Sequence, residues 1–459
     1  MMLLSEATTA MNGRFFGQDC KFTSVGTDSR KIVKGQLFVA LKGENFDGHD
    51  YAAQAIAQGA AAALIENSQL SLAPAIVVED TYIALGMLAK YWRNKFSIPL
   101  VAITGSNGKT TVKEMIASIL SVKANSEHAI HATSGNLNNH IGLPLTLLKL
   151  RATHQYSVIE MGMNHLGEID YLTRIAEPTV AVINNAGSAH IGELGSRGNI
   201  AQAKGEIFAG LTDDDGVAVI NADDEYADYW KSLNKGKKIV TFAMRKPADV
   251  KAAYQEKSGL SMVSLTTPHG EVSFKLSVLG AHNISNALAA SAVAVALGVE
   301  NADIARGLES FSAVKGRLQR KSGFNKALLI DDTYNANPDS MKAAIDVLAS
   351  QSGEKILVLG DMGELGADAK QLHMDIGAYA KAAGLKKLYC LGELSYEMVR
   401  GFGEGAKHYA TPVAIADAIK PLLSKGDVVL IKGSRFMKME RVVDLLEEKL
   451  NEAVILENQ

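Results

Sequence analysis

The 459-residue chain has little cysteine, no long apolar run and almost no excess charge of either sign. Its two cysteines, Cys20 and Cys390, are far apart, which argues against a disulfide scaffold or a cysteine-based zinc site and favours a reducing cytoplasm. The net charge of -3 gives no sign of a nucleic-acid partner or an anionic membrane. No segment is apolar enough to span a bilayer, and the first residues lack the pattern of a secretory signal. We therefore expect a cytoplasmic protein without nucleic acid or membrane insertion.

The composition is that of a soluble globular protein, with 47% hydrophobic and 21% charged residues. A Pro at position 99 ends a helical pattern and indicates a domain joint. From there to about Ala313, strands and helices alternate, which predicts a mostly parallel sheet with helices on both faces. A further α/β unit follows a linker near residues 311–317. The predicted fold class is α/β with three domains, at residues 1–97, 98–313 and 314–459.

A phosphate-binding loop is predicted between residues 100 and 111. An apolar strand leads into glycines, and Lys-Thr-Thr then opens a helical pattern. Glycines allow backbone N–H groups to turn toward an anion, while the helix N-terminus and a lysine add positive charge. Ile103 occupies the place of the first glycine in the usual P-loop spacing, so the loop is a shortened variant. The candidate residues are Gly105, Ser106, Asn107, Gly108, Lys109, Thr110 and Thr111.

Polar residues follow two further strands of the same predicted sheet. Glu160 ends one strand, and His190 comes a few residues after another. Ligands of open parallel sheets bind at the carboxyl ends of the strands, so both side chains are expected near the phosphates. Mg²⁺ prefers oxygen ligands, which makes Glu160 a candidate metal ligand.

Lys204 lies on the apolar face of a helix predicted over residues 198–211, four residues after Ile200 and three before Ile207. By spacing alone, we expect its ammonium to extend to water along the helix surface. The alternative is a partly buried lysine with a lowered pKa, able to take up CO₂ as a carbamate.

Several other polar residues have two open interpretations. Asn283 lies near a predicted helix start, where it either caps the helix or binds a base edge. Arg317 follows the linker and is a candidate for neutralising phosphate charge. The loop at residues 27–30 suits phosphate or sugar, although a solvated surface loop is the simpler interpretation. The glycines of residues 360–366 match a dinucleotide fingerprint poorly, so no NAD site is predicted there.

Taken in order, these motifs resemble those of the Mur ligase family. The residues that carry the resemblance are the loop at 104–111, Glu160-Met-Gly, His190, Ala203-Lys204-Gly-Glu-Ile, His282-Asn283 and Gly316-Arg317. Residues 332–341, 359–366 and 432–440 resemble the branch of the family that adds D-alanyl-D-alanine. Ser106 stands where the family usually has Thr, and Ser188 where it commonly has Pro.

The resemblance implies an N-terminal α/β UDP-binding domain, a central parallel-sheet P-loop ATPase-like domain and a C-terminal Rossmann-like domain. It implies that Lys109 and the loop amides hold ATP, and that Arg317 is catalytic. Thr110 and Glu160 would bind one Mg²⁺, while His190 and a carbamylated Lys204 would help bind a second. The remaining implied contacts are Asn283 with adenine, Asp332 with ribose, Tyr334 beside the nucleotide, and Thr27, Asp28, Ser29 and Arg30 with UDP.

The implied reaction activates the carboxylate of UDP-N-acetylmuramoyl-tripeptide as an acyl phosphate, which D-alanyl-D-alanine then attacks. Candidate contacts for the dipeptide are Asn335, Asn337, Ser434 and Arg435. A monomer is expected. Two alternatives remain open: another ligase of the superfamily, such as a folylpolyglutamate synthetase, and a P-loop nucleotide switch that makes no product.

Overall fold

A computed structural model describes residues 1–66, 72–212, 215–257 and 260–448 of the chain. Its described strands form three large sheets and one two-stranded ribbon. One large sheet lies in the N-terminal part of the chain, one in the centre and one in the C-terminal part. This is the three-domain α/β architecture that the sequence predicts, whereas the exact domain boundaries stay predictions.

The N-terminal unit contains a five-stranded sheet in the order β2-β7-β6-β5-β4. All its neighbouring pairs are parallel except β2 with β7. The elements of this unit are β1 (Met2–Leu3), α1 (Leu4–Ala10), β2 (Arg14–Phe16), β3 (Lys21–Phe22), β4 (Ser24–Gly26), β5 (Gln36–Val39), α2 (Ala52–Ala57), β6 (Ala62–Ile65), β7 (Ala75–Val77) and α3 (Thr81–Arg93).

The central unit contains a nine-stranded sheet in the order β16-β15-β14-β13-β12-β11-β8-β10-β9. Its elements are β8 (Leu100–Thr104), α4 (Lys109–Ala124), β9 (Ile130–Ala132), α5 (Gly142–Leu147), β10 (Tyr156–Glu160), α6 (Glu168–Ala176), β11 (Val180–Ile183), α7 (Ile191–Leu194), α8 (Arg197–Gly205), β12 (Val217–Asn221), α9 (Ala227–Leu233), β13 (Lys238–Ala243), β14 (Val250–Lys257), β15 (Leu260–Thr267), β16 (Gly270–Leu276), α10 (Ala281–Ala296) and α11 (Asn301–Ser310).

The C-terminal unit contains a six-stranded sheet in the order β17-β18-β22-β19-β20-β21, parallel except for β17. Its elements are β17 (Gln319–Ser322), β18 (Leu328–Asp332), α12 (Pro338–Ala349), β19 (Lys355–Gly360), α13 (Ala369–Ala382), β20 (Lys387–Leu391), α14 (Ser395–Phe402), β21 (Ala406–Tyr409), α15 (Pro412–Ile419), β22 (Val428–Lys432) and α16 (Glu440–Leu446).

The central sheet differs from the predicted alternation at one edge. Strands β8 to β13 are parallel to one another. Strands β14, β15 and β16 instead form an antiparallel meander. The side chains of β15 alternate strictly between exposed and buried, which is the pattern of a sheet with one solvated face. The expectation of strand–helix alternation up to Ala313 is therefore wrong for residues 250–276.

The helix predicted over residues 198–211 is also shorter than expected. Helix α8 ends at Gly205, and a 3₁₀ segment covers Glu206–Gly210. By contrast, the helix after the phosphate loop begins at Lys109 as predicted, and its apolar face is buried at Val112, Met115, Ile116 and Ile119. This face packs in the same apolar core as Val101 and Ile103 of β8, so the core fixes the direction in which the loop opens.

Candidate active site

A cavity of about 1350 Å³ lies between the central and C-terminal units. It is lined by the phosphate loop, the ends of β10 and β11, the start of α10, the linker and the loops after β18, β19 and β22. Most of these segments follow the carboxyl ends of parallel strands, where such sheets bind their ligands. The volume exceeds that of a usual small-molecule pocket, roughly 300–1,000 Å³, and so suits a nucleotide together with a second substrate.

The phosphate loop is held by asparagines at the end of β11. The N–H of Asn107 donates to Asn185 Oδ1 at 2.9 Å, and the N–H of Ser106 donates to the Asn185 carbonyl at 3.0 Å. Gly108 has φ +81°, and a Cβ there would lie 2.3 Å from Asn286 Oδ1. A side chain at position 108 is therefore excluded by both conformation and space.

Lys109 begins α4, and its ammonium donates to the carbonyl of Gly105 at 2.7 Å. Burial lowers the pKa of Lys109, an effect that the Glu160 carboxylate opposes and the Arg317 guanidinium reinforces. A cation held at a phosphate loop with few compensating charges is well placed to bind a polyanion.

Thr110 connects three parts of the chain. Its hydroxyl donates to Glu160 Oε2 at 2.9 Å and accepts from Arg317 Nη2 at 2.8 Å. The second carboxylate oxygen of Glu160 accepts from Asn138 Nδ2 at 2.9 Å. Arg317 Nε is buried and has no hydrogen-bond partner among the described residues. The site thus contains a hydroxyl, a carboxylate and a guanidinium with a free donor, all beside the phosphate loop.

His190 and Glu364 meet across the two units. His190 Nδ1 lies 2.9 Å from Glu364 Oε2, and this contact lowers the pKa of the Glu364 carboxyl. Both residues have left-handed backbones, with φ of +64° and +62°. The loops approach closely, since a Cβ on Gly192 would lie 2.7 Å from the amide nitrogen of Gly366. The glycines therefore permit the contact that brings the carboxylate to the histidine.

Lys204 is buried, with only 2% of its surface exposed. The prediction that it extends to water is wrong, because α8 packs this face into the apolar core beside Ile200 and Ile207. Burial, and then the nearby Lys109 cation, hold the pKa of Lys204 well below its ordinary value. No hydrogen bond from its ammonium occurs within the described part of the chain. Burial and the Lys109 cation therefore both disfavour the charged form of this amine.

The chain matches three family models: the Mur ligase middle domain over residues 103–294, the Mur ligase glutamate ligase domain over residues 316–435 and the Mur ligase family catalytic domain over residues 21–92. A protein of Haemophilus influenzae named UDP-N-acetylmuramoyl-tripeptide--D-alanyl-D-alanine ligase is 44% identical over 441 residues, which cover 94% of this chain and 95% of that protein. This chain belongs to the Mur ligase family.

Solved structures of Mur ligases agree in fold over almost the whole chain. MurF from Acinetobacter baumannii matches with a TM-score of 0.89 and 38% identity, covering 96% of this chain and 98% of that one. The MurF ligase from Thermotoga maritima, solved in complex with ADP, matches with a TM-score of 0.81 and 30% identity, covering 92% of this chain and 96% of that one. The predicted family and fold class are therefore confirmed.

In this Mur ligase the C-terminal unit supplies several of the predicted residues to the cavity. Asp332 forms a 2.6 Å ion pair with Lys432 Nζ, and the Arg317 guanidinium stacks on the Tyr334 ring at 4.1 Å. Asn335 Oδ1 accepts from the Arg435 N–H at 3.3 Å. These contacts place the side chains at the cavity; their ligands remain predictions.

Two of the proposed dipeptide contacts already have structural partners. Ser434 Oγ donates to the Ala336 carbonyl at 3.1 Å and accepts from the Gly363 N–H at 2.8 Å. Arg435 Nη2 lies 2.7 Å from Glu440 Oε1. These bonds connect the loops after β18, β19 and β22, so both residues shape the cavity wall.

Asn283 lies in the cavity wall, but it is not the cap of α10. The N-cap residue is Gly280, and the Asn283 side chain donates to the Leu279 carbonyl at 2.8 Å and accepts from Asn286 Nδ2 at 3.1 Å. The capping interpretation is therefore wrong. Nδ2 and Oδ1 each form one hydrogen bond within the protein, which leaves one N–H and one lone pair of the amide for a base.

The loop at residues 27–30 lies apart from this cavity, in the N-terminal unit. Arg30 Nε forms an exposed ion pair with Asp28 Oδ1 at 2.8 Å, which lowers the pKa of Asp28 to about 2. Thr27 and Ser29 belong to the same partly exposed loop. The structure therefore does not bring this loop together with the nucleotide residues, and a role in UDP binding stays a prediction.

Sequence analysis did not identify Glu364, Asp339, Asn138 and Lys432 as site residues. Glu364 stands in the glycine-rich segment 359–366, which carries part of the family resemblance, but no role was predicted for Glu364 itself. Its neighbour Asp361 is structural, since its carboxylate accepts the N–H groups of Leu394 and Ser395 at 3.2 and 2.7 Å. The position of Glu364 after a strand of a parallel sheet was the available signal.

Proposed function

We propose that this chain is an ATP-dependent ligase that joins D-alanyl-D-alanine to the tripeptide carboxylate of UDP-N-acetylmuramoyl-tripeptide, releasing ADP and phosphate. The full-length relatives that carry this name support the proposal. The observation that carries it is the hydrogen bond from Arg317 to Thr110, by which the C-terminal unit adds a guanidinium to the phosphate site of the central unit. Such a composite site suits an enzyme whose two half-reactions use substrates held by different domains.

In the first half-reaction, the tripeptide carboxylate oxygen attacks the γ-phosphorus, the bond to ADP breaks, and an acyl phosphate forms. Lys109 and the loop amides hold the β- and γ-phosphates, and Lys109 exchanges its bond to the Gly105 carbonyl for the phosphate. Arg317 Nε, buried without a protein partner among the described residues, supplies a further donor to the transferring oxygens.

In the second half-reaction, the amine of D-alanyl-D-alanine attacks the acyl carbon and phosphate leaves. The acyl phosphate would hydrolyse in water, so the site has to be closed before it forms. The contacts of His190 with Glu364 and of Arg317 with Thr110 join the two units around the phosphate loop and support such closure. Asn335, Asn337, Ser434 and Arg435 remain candidate contacts for the dipeptide.

Two Mg²⁺ ions are proposed for this site. Within the described part of the chain, no group of three or more His, Cys, Asp or Glu residues is arranged to hold a metal. Mg²⁺ often keeps several waters and binds through one or two carboxylates plus phosphates, so the paired oxygens of Thr110 and Glu160 fit it. Bound Mg²⁺ would neutralise charge on the transferring phosphate.

His190 and a carbamate on Lys204 are proposed to hold the second ion. The neutral amine would add to CO₂ and lose a proton, which replaces an uncharged buried amine by an anion. The burial of Lys204 beside Lys109 supports this modification, because the carbamate anion would be attracted to the Lys109 cation. The chain then offers two oxygen ligands that its sequence lacks.

The remaining assignments rest on weaker support. Thr27, Asp28, Ser29 and Arg30 are proposed to bind UDP, Asn283 the adenine, and Asp332 the ribose. Within the described residues, no helix combines the length and apolarity that crossing a bilayer requires. Two free cysteines, one of them buried, support a reducing cytoplasmic location, and we propose a monomer.

A coupled assay of ADP release tests the function. We expect release only when both the UDP-linked tripeptide and D-alanyl-D-alanine are present, and an amide product in equal amount. Tripeptides ending in diaminopimelate and in lysine should be compared, because the sequence leaves this residue open. ADP release with folate and glutamate would instead indicate a folylpolyglutamate synthetase. Slow hydrolysis that no acceptor changes would indicate a nucleotide switch.

A further inference from the structure

The first turn of α12 connects the C-terminal unit to both loops of the phosphate site. Asn337 is the N-cap of this helix, and Asp339 lies two residues later. Asn337 reaches the phosphate loop, whereas Asp339 reaches the loop that leads to His190. Neither contact follows from the proposed roles of ATP or metal ligands.

Asn337 uses both ends of its side-chain amide within the protein. Its Oδ1 accepts from the Ser340 N–H at 2.9 Å, which caps α12, and its Nδ2 donates to Asn107 Oδ1 at 2.8 Å. The N–H of Asn107 in turn donates to Asn185 Oδ1. The helix cap thus continues into the phosphate loop and into the end of β11.

Asp339 accepts two hydrogen bonds from one residue. Its Oδ2 lies 2.7 Å from the Ser188 nitrogen and 2.8 Å from Ser188 Oγ. A Cβ on Gly187 would lie 2.5 Å from the same carboxylate oxygen, so a side chain at that position would have to displace the carboxylate. Hydrogen bonds to a charged acceptor are the strong class, and a proline at position 188 could make neither of them.

The loop that Asp339 holds is itself part of the phosphate site. The N–H of Gly187 donates to Ser106 Oγ at 2.9 Å, and Asn185 binds the Asn107 backbone. His190 lies two residues beyond Ser188. A displacement of α12 would therefore break the contacts of the C-terminal unit with the phosphate loop and with the His190 loop at the same time.

We propose that Asn337 and Asp339 form a closure clamp, which holds the C-terminal unit on the phosphate site while the acyl phosphate exists. Both are positioning residues that act through Asn107 and Ser188. This inference rests on the proposed ligase function. It adds that these two residues make docking of the C-terminal unit depend on the position of the phosphate loop. For Asn337 it is an alternative to the proposed contact with the dipeptide, and the test below distinguishes the two roles.

Loss of the clamp would change the fate of the intermediate. Water would add its oxygen to the acyl carbon, phosphate would leave with the bonding electron pair, and the tripeptide carboxylate would be regenerated. Each such event consumes one ATP without making an amide. The ratio of ADP released to amide formed therefore measures closure, whereas a dipeptide contact would change the KM for D-alanyl-D-alanine.

The test compares Asn337→Ser, Asp339→Ala and Ser188→Ala with the wild type. Serine is as good an N-cap as asparagine but too short to reach Asn107, so Asn337→Ser removes the clamp contact and keeps α12 capped. Asp346→Asn is the matched control, because Asp346 lies on α12 and its carboxylate accepts only from Tyr379 of its own unit among the described hydrogen bonds. Small-angle scattering with a non-hydrolysable ATP analogue reports closure independently of turnover.

We expect the ratio to rise at least about two-fold in Asn337→Ser and Asp339→Ala, with a larger radius of gyration and an unchanged control. Ser188→Ala removes only the hydroxyl bond and keeps the backbone N–H bond to Asp339, so it should have a smaller effect than Asp339→Ala and add little to it. An unchanged ratio with a raised KM for the dipeptide would overturn the clamp and restore Asn337 as a substrate contact. A wild-type enzyme inactive with these substrates would refute the ligase function, while scattering would still report on the clamp.

Discussion

Replacing Lys204 by methionine separates the chemistry of its amine from the packing of its side chain. The lysine is buried in the core beneath α8, and its amine has no partner among the described hydrogen bonds. Methionine has a similar length and volume and fills the same space without a titratable group. We expect a protein that folds normally but ligates very slowly.

The magnitude follows from the burial of the side chain. Volume-conserving core substitutions usually cost less than about 1.5 kcal/mol, and removing a buried amine next to the Lys109 cation offsets part of that cost. Lys204→Ala leaves a cavity instead and should cost about 2–5 kcal/mol. Loss of a metal-holding carbamate should lower metal affinity or activity on the order of 10–100-fold or more in both variants.

Thermal unfolding and ADP release provide the two measurements. A short carboxylate such as formate or acetate should enter the cavity of Lys204→Ala and take the place of the carbamate oxygens beside Lys109. The same carboxylate should not restore Lys204→Met, because the methionine side chain occupies that space. Excess bicarbonate should likewise restore part of the activity of Lys204→Ala but not of Lys204→Met.

Retention of activity within a few-fold in Lys204→Met would refute the carbamate, because methionine cannot form one. Equal rescue of both variants would refute the cavity argument, since it would show that the carboxylate acts elsewhere. A large loss of stability in Lys204→Met would mean that the amine has a structural partner in the folded protein.

Three further predictions concern stability and metal binding. Burial lowers the pKa of His131 to about 4. Below about pH 6.5, the ordinary pKa of histidine, the unfolded chain takes up a proton at this residue that the folded chain does not. The free energy of unfolding should therefore fall by about 3 kcal/mol between pH 6.5 and 4. His131→Gln should flatten this slope in chemical unfolding at several pH values, and an unchanged slope would contradict the assignment. Gly307→Ala should cost about 1–3 kcal/mol, because its Cβ would lie 2.4 Å from the Ile119 Cα behind the phosphate-loop helix; an unaltered melting temperature would contradict this packing. Thr110→Val should raise the Mg²⁺ concentration needed for half-maximal ADP release about ten-fold through loss of an oxygen ligand, whereas an equal loss at all Mg²⁺ concentrations would indicate a purely structural hydroxyl.

The phosphate site could be predicted because its residues are adjacent in sequence or follow neighbouring strands. The loop and Lys109 form one continuous motif, and Glu160 ends a strand that pairs with β8. In a parallel sheet the carboxyl ends of neighbouring strands meet at one edge, so sequence position implied spatial position.

Residues whose position depends on packing were predicted only through the family resemblance, as for Arg317 and Asp332, or were not predicted at all. Lys204 has the spacing of an ordinary surface lysine, and only the packing of α8 against the core shows that water does not reach it. Glu364 and Asp339 approach the phosphate site from a different sheet, across sequence separations that no local pattern encodes. The meander of β14 to β16 departs from the predicted strand–helix alternation, and the alternation of exposed and buried residues along β15 is the local pattern that indicates it.

The charges around the phosphate loop link nucleotide binding to closure. Burial lowers the pKa of both Lys109 and Lys204; Arg317 lowers that of Lys109 further, and Lys109 lowers that of Lys204 further. The carboxylates of Glu160 and Glu364 offset part of this charge, but Glu364 is present only when the C-terminal unit is docked. A polyanion at the loop would stabilise the charged form of Lys109, and the charges around Lys109 also change when Glu364 and Arg317 dock. Binding of ATP and closure must therefore affect each other's equilibria to the same extent, as thermodynamic linkage requires.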